Sequence, residues 1–374
     1  MADSNVIVVE IGSSKLSCVV ASRGINGIFN VKAKAEVDYA GFLEGAFVEP
    51  SLLEDAVKSL FGQIQSVYKK KIVKIFVGVP AEFSKVTSAK EQLTFRFKRA
   101  VRKADLEELT RGASKDIEED GMELLSVSPI YFELDDSRKT NSPVGIKASK
   151  ISAELSVVLA QSSFISKFNK IFTNLGVEQV EYLCEPLAQA MLILEKEERE
   201  RTCIVIDVGA RTTSVAFVKG DGLTNLTSFS LGGSHITSDL SEACAISYND
   251  ARNLKKQIVL SLRGTENDFY DLVTLGGRVA KIPLSFANDV VMYRLNVIAT
   301  TVNECIRLFA KEYVPYYPIY LCGAGVSKIK GGKDYFAKCI TRNISYGVPP
   351  IPAMDKPENA ALLGLLNMAI EQNG

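Results

Sequence analysis

One segment of the chain occurs twice. Ile7-Val-Val-Glu-Ile-Gly-Ser-Ser-Lys-Leu-Ser-Cys-Val-Val20 aligns without a gap against Ile204-Val-Ile-Asp-Val-Gly-Ala-Arg-Thr-Thr-Ser-Val-Ala-Phe217. In both copies an apolar run reads as a short buried strand, a glycine opens a tight turn, and a second apolar run returns. A duplicated hairpin of this kind limits the chain to a fold of two related halves with one site between them. It also sets an acid at equivalent places, Glu10 and Asp207, each followed by its turn at Gly12 and Gly209. Such turns gather backbone N–H groups into a concave nest that binds phosphate without a lysine. The acid beside each nest suits a hydrated magnesium ion, which takes one or two carboxylates plus phosphate and water. A third glycine turn, Gly323-Ala324-Gly325, follows the buried strand Ile319–Cys322 and would let backbone approach a purine or its α-phosphate. Each turn alone is an ordinary strand connection; the three in this order point to a nucleotide.

Composition fits that reading and removes others. The 374 residues are enough for two or three domains, and 47% apolar with 24% charged residues is ordinary for a globular protein. A formal net charge of zero argues against bulk attraction to nucleic acid or anionic lipid. The seven cysteines are scattered, no CxxC pair occurs, and His235 is the single histidine. Zinc is therefore not expected, and reduced thiols in a cytosolic compartment are. Met1–Asn5 leads straight into a strand rather than a secretory leader, and Ala360–Ile370 is too short to span a bilayer.

The pattern predicts strands at Val6–Ile11, Leu16–Ala21 and within Phe29–Val37, and a loop at Gly41–Glu49. A helix opened by the capping box Ser51-Leu-Leu-Glu54 should run to about Tyr68, followed by a strand at Val73–Val79. Residues 84–160 read as a small insertion domain, with a helix from Ala104 to about Glu118 and strands at Val127–Leu134 and Ile151–Leu159. Helices are expected at Phe164–Leu175, Pro186–Glu195, Asp250–Leu262, Phe286–Lys311 and, amphipathic, at Ala360–Glu371, with a hairpin at Leu272–Leu284. The fold class expected is α/β, in two layered halves.

These motifs resemble the actin/Hsp70-type ATPase superfamily, and within it the bacterial cell-division FtsA family. Glu10-Ile-Gly-Ser-Ser-Lys15 is similar to the family's first phosphate loop, Asp207-Val-Gly-Ala-Arg-Thr-Thr213 to its second, and Leu321-Cys-Gly-Ala-Gly325 to its adenosine loop. Glu185-Pro-Leu-Ala188 resembles the first connecting helix and Pro357–Leu366 the last. Val77-Gly-Val79, Asn141-Ser-Pro-Val-Gly145 and Leu231-Gly-Gly-Ser-His-Ile-Thr-Ser-Asp239 resemble FtsA specifically. The resemblance covers nearly the whole chain and implies duplicated ribonuclease-H-like domains with an FtsA-type insertion. One half would comprise residues 1–83, 161–199 and 357–374, with 84–160 inserted. The other would comprise 200–234 and 313–356, with 235–312 as its own subdomain.

The resemblance implies ATP and Mg2+ as ligands. Asp207 would organise the metal, with Glu10, and the attacking water, which Glu185 would help to position. Gly12, Ser13, Ser14, Lys15, Gly209, Ala210, Arg211, Thr212, Thr213, Gly232, Gly233, Arg252, Lys255, Gly323, Ala324 and Gly325 would lie around the nucleotide. Five positions depart from the family. Ala210, Arg211 and Ser214 replace two glycines and a second acid, Glu10 replaces an aspartate, and Arg252 stands where the family has a ribose-binding glutamate. Arg211 is strained if its backbone needs positive φ; alternatively its guanidinium binds phosphate. Weak ATP binding or very slow hydrolysis is the expectation.

The partners implied are copies of the chain itself, other divisome proteins, and the tubulin-like division protein FtsZ, whose tail would dock on residues 235–312. Nucleic acid is not expected. The basic-aromatic run Arg96–Lys103 reads as a solvated edge or helix face beside Asp105, Glu107, Glu108, Asp116, Glu118 and Glu119, or as a polymer contact. His235 reads as structural, and Cys184 and Cys203 as core. The family's amphipathic membrane tail has no counterpart before Gly374, so membrane contact would be indirect or through a missing tail. The location implied is the cytoplasm, at the inner face of the membrane at the division site. A PilM-type pilus adaptor and an active sugar kinase or Hsp70-like ATPase are the competing readings.

Overall fold

The computed structural model describes residues 5–24, 28–115, 117, 119–262, 264–265, 267–274, 276–277, 279–310 and 317–373. Asp116, Glu118, Lys311 and Gly374 therefore lie outside the described residues. In the first half, β1 (Val6–Ile11), β2 (Lys15–Arg23) and β3 (Phe29–Asp38) form an antiparallel meander. A hairpin of β4 (Phe42–Leu43) and β5 (Ala46–Phe47) leads into α1 (Pro50–Val67) and β6 (Lys74–Val79), which pairs parallel to β1. The insertion adds β7 (Ser84–Ala100), α2 (Lys103–Lys115), β8 (Met122–Leu134), β9 (Lys139–Thr140) and β10 (Lys147–Gln161), a sheet of order β7-β10-β8-β9. The chain returns through α3 (Ser162–Asn174), β11 (Gln179–Cys184) and α4 (Glu185–Ile193), and the first sheet closes in the order β3-β2-β1-β6-β11.

The second half repeats that order. The meander is β12 (Cys203–Val208), β13 (Thr213–Lys219) and β14 (Gly222–Phe229), followed by α5 (Gly233–Ala243), α6 (Tyr248–Gln257), a hairpin of β15 (Phe269–Val273) and β16 (Val279–Pro283), and α7 (Leu284–Phe309). Then come β17 (Ile319–Cys322), the short α8 (Ala324–Ser327), α9 (Gly332–Ile340), β18 (Ile344–Tyr346) and α10 (Ala360–Asn373). The sheet order β14-β13-β12-β17-β18 is the counterpart of the first sheet.

Strand period explains where the acids point. Ile7, Val9 and Ile11 enter one core, under α1 and α3, while Val6 and Val8 enter another, under α10. Ile204, Ile206 and Val208 likewise enter an outer core, and Cys203 and Val205 an inner one that includes residues of α4. Glu10 shares its face with Val6 and Val8, and Asp207 with Cys203 and Val205. The two-residue period therefore turns both acids inward, toward α4 and α10. The hairpins share a register as well: Glu10 lies opposite Ser17 and Asp207 opposite Ser214.

Helices α4 and α10 cross closely at Gly364. A Cβ there would stand 2.6 Å from the Ala188 carbonyl oxygen and 2.7 Å from Gln189 Cα, both backbone and unable to yield. Gly364→Ala is expected to cost about 2 kcal/mol, read as a lowered urea midpoint. An unchanged midpoint would show that the crossing relaxes freely.

Several local expectations change. Helix α1 begins at Pro50 with Glu49 as its cap and no side-chain cap bond, so Ser51 lies inside the helix and the Ser51–Glu54 box does not form. Proline at the first helical position fixes the start instead. Helix α10 is not amphipathic: Leu362, Leu363, Leu365, Leu366 and Ile370 bury its circumference between sheet and α4. The Gly41–Glu49 loop holds β4 and β5. The predicted helix at Asp250–Leu262 ends at Gln257, and β14, α5, α9 and β18 were not foreseen. The charged run after Pro80 is the long edge strand β7, whose Ala89, Leu93 and Phe95 face α2. Arg96–Arg99 thus lies on a sheet edge, where Arg99 forks onto Asp105 at 2.7 and 2.8 Å and covers Phe95. Cys184 and Cys203 are buried free thiols, and His235 Nδ1 accepts the Gly232 N–H at the start of α5. No helix among the described residues is long and apolar enough to cross a membrane.

Candidate functional site

The inward acids open onto a cavity of about 400 Å³ between the halves. Its walls include Glu10, Gly12, Ser13, Ser14 and Lys15 from the first hairpin, and Asp207, Gly209, Ala210 and Thr212 from the second. Glu185 and Gln189 reach in from α4, one helical turn apart and on one face. Gly323 and Ala324 close the far side beside Lys328, Lys356 and Glu358.

Both hairpins turn the same way. The Gly12 N–H donates to the Lys15 carbonyl at 3.0 Å, and the Gly209 N–H to the Thr212 carbonyl at 2.9 Å. Tyr39 braces the first, donating its hydroxyl to the Gly12 carbonyl at 2.9 Å. The second is braced by α5, where the Gly233 and Ser234 N–H groups donate to the carbonyls of Gly209 and Ala210. The tips also touch each other across the cleft, the Arg211 N–H donating to Ser13 Oγ at 3.0 Å.

Of the carboxylates that line this space, four are held above the ordinary range. Burial pushes Glu10 up to about 7 against the pull of Lys15 and a Ser17 hydrogen bond, with Asp207 and Glu36 adding to the rise. Burial likewise lifts Asp207 to about 6 against the Gln189 hydrogen bond. Glu185 is raised well above the ordinary carboxylate range by burial and then by Glu10, Asp207 and Glu82. Glu82, on the turn between β6 and β7, is raised by burial and steadied by Thr212. The Glu185 Oε2 atom is buried with no hydrogen-bond partner. Mutually repelling carboxylates and an orphaned oxygen beside two N–H-rich turns suit a ligand that brings a cation to phosphate. Among the described residues no group of three or more His, Cys, Asp or Glu side chains is arranged to hold a bare metal ion. Hard carboxylate oxygens beside the two turns are the donors that suit magnesium arriving with phosphate and water.

Other predicted site residues lie elsewhere. Thr213 is buried and donates to the Leu231 carbonyl, while Gly232, Gly233 and Gly325 pack behind the second hairpin. Lys15 does line the cavity, with its Nζ held there by Glu36 at 2.8 Å. Arg211 has ordinary backbone, since among the described residues the non-glycine positive-φ positions are Glu44, Ser137, Ala245, Thr341 and Ala353. Its guanidinium donates to the Phe42 carbonyl of the other half, and its ordinary φ removes the strain expectation. Arg252 lies outside the cavity and pairs at 3.8 Å with Asp38, both side chains exposed. Lys255 donates to the Gly233 carbonyl and Thr237 Oγ1, and burial with Arg252, Lys256 and Lys328 nearby lowers it to about 8. Sequence reasoning missed Glu82, Gln189, Lys328 and Lys356. Only Gln189 carried a signal, its i+4 spacing from Glu185.

Residues 204–364 match the family model described as cell division protein FtsA, and residues 84–159 match the SHS2 domain inserted in FtsA. The chain is an FtsA-like protein of the actin/Hsp70 ATPase superfamily. The cell division protein FtsA of Bacillus subtilis is 18% identical across 96% of this chain and 82% of its own length. That of Streptococcus pneumoniae is 24% identical over 66% of this chain and 54% of its own length. Among solved structures, the PilM-PilN type IV pilus biogenesis complex superposes with a TM-score of 0.63 at 18% identity, covering 98% of this chain and 99% of that one. MreB5 of Spiroplasma citri bound to ADP gives 0.57 at 14% identity, covering 99% and 98%. These likenesses establish an α/β, actin-like fold with an FtsA insertion for the FtsA-like chain.

Proposed function

We propose that this FtsA-like chain is a nucleotide-gated filament or scaffold protein of bacterial cell division that binds ATP and turns it over slowly. The observation that carries the reading is the cleft itself, with two equivalent hairpin turns facing one cavity in a chain that also holds the FtsA insertion. The Gly12–Lys15 and Gly209–Thr212 turns would cradle phosphates, and Gly323 and Ala324 the nucleoside. Glu10 and Asp207 would hold Mg2+ through its waters, and the ion would offset charge between carboxylates and phosphates. Glu185, buried and proton-binding, would steer the attacking water. Catalysis of this kind is placement and charge stabilisation.

Slow turnover follows from how the chain satisfies its own site. Ser13 is bonded to Arg211, Lys15 to Glu36, Asp207 to Gln189 and Glu82 to Thr212. A nucleotide must displace such contacts before its phosphates settle. Copies of itself, other divisome proteins and the FtsZ tail on residues 235–312 are the proposed partners, with action in the cytoplasm at the membrane's inner face.

The test combines turnover, sedimentation and peptide capture on the full chain. ATP hydrolysis is expected below about 10⁻² per second, with pelleting that depends on ATP and Mg2+ and is lost in Asp207→Ala. The FtsZ tail peptide should be retained. A strict monomer with fast turnover would overturn the scaffold reading, and retention of a pilus inner-membrane peptide instead would assign the chain to a pilus adaptor.

A further inference from the structure

A carboxylate and two lysines on the cavity wall beside the first hairpin form a unit that the nucleotide motifs do not include. Strand β3 runs antiparallel to β2, with Glu36 opposite Ser17, which is itself opposite Glu10. Ala33 and Ala35 of β3 pack into the core under α1, so the two-residue period turns Lys34 and Glu36 to the inner face that Glu10 occupies. Both line the cavity with Lys15. The Glu36 carboxylate is shared between the lysines: Lys15 Nζ donates to Oε2 at 2.8 Å, and Lys34 Nζ lies 3.0 Å from Oε1. Against the rise that burial imposes, the two lysines hold the Glu36 carboxyl below its ordinary value, the opposite of Glu10, Asp207, Glu185 and Glu82. The unit is thus two cations on one anion. Each ammonium has three donors, and the lysine side chains are 42% and 44% exposed, so donors are left over for a ligand.

We infer that Lys34 is a phosphate-binding residue and Glu36 a stand-in for phosphate: Glu36 holds Lys15 and Lys34 at the cavity wall for the outer phosphates of a nucleoside triphosphate, which take its place. The carboxylate gives each lysine one oxygen and shares a single charge between them. A triphosphate brings more oxygens and more charge, so the exchange favours the ligand. Lysine suits an exchange of this kind, because an ammonium is a point charge with rotatable donors that can turn from one anion to another. Half-exposed lysine–carboxylate pairs are loosely held and give way readily. Glu36, itself 39% exposed and on the edge strand of its sheet, has solvent to turn into. With the nucleoside at Gly323 and Ala324, the wall beside the first hairpin meets the phosphate chain. Glu10 and Asp207 keep their part with Mg2+, and the lysines neutralise phosphate oxygens that the ion leaves uncovered. The inference rests on the nucleotide reading and adds to it the residues that distinguish a long phosphate chain from a short one.

The experiment measures ATP and AMP affinity of the full chain by calorimetry in excess Mg2+. Lys34→Met is expected to weaken ATP about tenfold and AMP by less than about threefold. Glu36→Gln, which keeps the shape and releases both lysines, is expected to tighten ATP at least about fivefold with little change for AMP. That gain should vanish when Glu36→Gln is combined with Lys15→Met and Lys34→Met, whereas a diffuse effect of removing one negative charge would persist there. Equal weakening of ATP and AMP by Lys34→Met overturns the inference, and so does a Glu36→Gln gain that survives without the lysines. If wild type binds ATP and either single variant matches it, the nucleotide reading stands and the inference falls. If wild type binds neither nucleotide, the nucleotide reading itself fails, and the inference with it. Lys34 and Glu36 are partly exposed, so both variants should melt as wild type does, and a folding defect could not produce the gain expected of Glu36→Gln.

Discussion

Gly323→Ala is expected to lower the unfolding free energy by about 4 kcal/mol and to abolish ATP binding. Two independent terms add. The residue has φ +79, where an L side chain costs about 1–2 kcal/mol. The new Cβ would also stand 2.4 Å from both Asp207 Oδ1 and the Val208 carbonyl oxygen. Neither can retreat, because β12 is the central strand of its sheet and Asp207 is tied to Gln189. Overpacking of that sort costs about 1–3 kcal/mol. The binding loss has the same cause, since the turn can escape only by moving away from Asp207 and widening the cavity. Urea denaturation and ATP titration check the two effects together. Neighbouring Ala324→Gly, exposed and with no such contact, should leave the denaturation midpoint nearly unchanged. Wild-type stability with retained ATP binding in Gly323→Ala would mean that the turn does not define the nucleoside side of the cleft.

How much of this was legible in the sequence depends on the range of the forces involved. The hairpins were legible because strand period and turn glycines are local, and because two copies fixed each other's register. Their inward acids followed from the same period. Strand β7 was missed for a physical reason: the strand is at a sheet edge, where charged side chains at Lys85, Lys90, Arg96 and Lys98 cost nothing, and they mask the alternation of Ala89, Leu93 and Phe95. Helix α10 was found but its environment was misjudged, since an apolar helix closed between sheet and α4 keeps no polar face.

The site divides in the same way. Gly12, Gly209, Gly323, Glu10, Asp207 and Glu185 come to one cavity because each is fixed by a strand end or a helix start. Arg211 and Arg252 went elsewhere because their partners, the Phe42 carbonyl and Asp38, belong to the other half and are invisible to local reasoning. Arg211 is the more informative. A residue that looked like a defect in a glycine turn makes two contacts across the halves, through its backbone to Ser13 and its side chain to Phe42. The altered hairpin is thus a clasp as well as a cradle.

The nucleotide-free protein should become more stable when its site is neutralised, and Glu185→Gln is the sharpest case. Glu185 Oε2 is buried without a partner, and an unsatisfied buried polar group costs about 1–3 kcal/mol, more when charged. Burial and the neighbouring carboxylates Glu10, Asp207 and Glu82 raise its folded-state affinity for a proton well above the ordinary value of 4.5. The folded state therefore binds more protons than the unfolded chain above pH 4.5. The contribution of Glu185 is fully present below that pH and is lost as pH rises toward its folded value. Glu10, lifted from 4.5 to about 7, acts in the same direction between those two values. Without nucleotide or Mg2+, wild type should lose stability between pH 5 and pH 8. Glu185→Gln should be about 2 kcal/mol more stable than wild type at pH 8 and nearly equal at pH 5, where the parent side chain is already protonated. Hydrolysis should fall by about a hundredfold, because the amide cannot accept a proton from water. Thermal unfolding across that pH range checks the first claim and single-turnover hydrolysis the second. A variant less stable than wild type at pH 8 would mean that Glu185 has a partner stronger than its repulsions. A variant stabilised but still hydrolysing at the parent rate would move the water-positioning role to another carboxylate of the cluster, with Glu82 first in line because it too faces the cavity and holds Thr212 of the second hairpin.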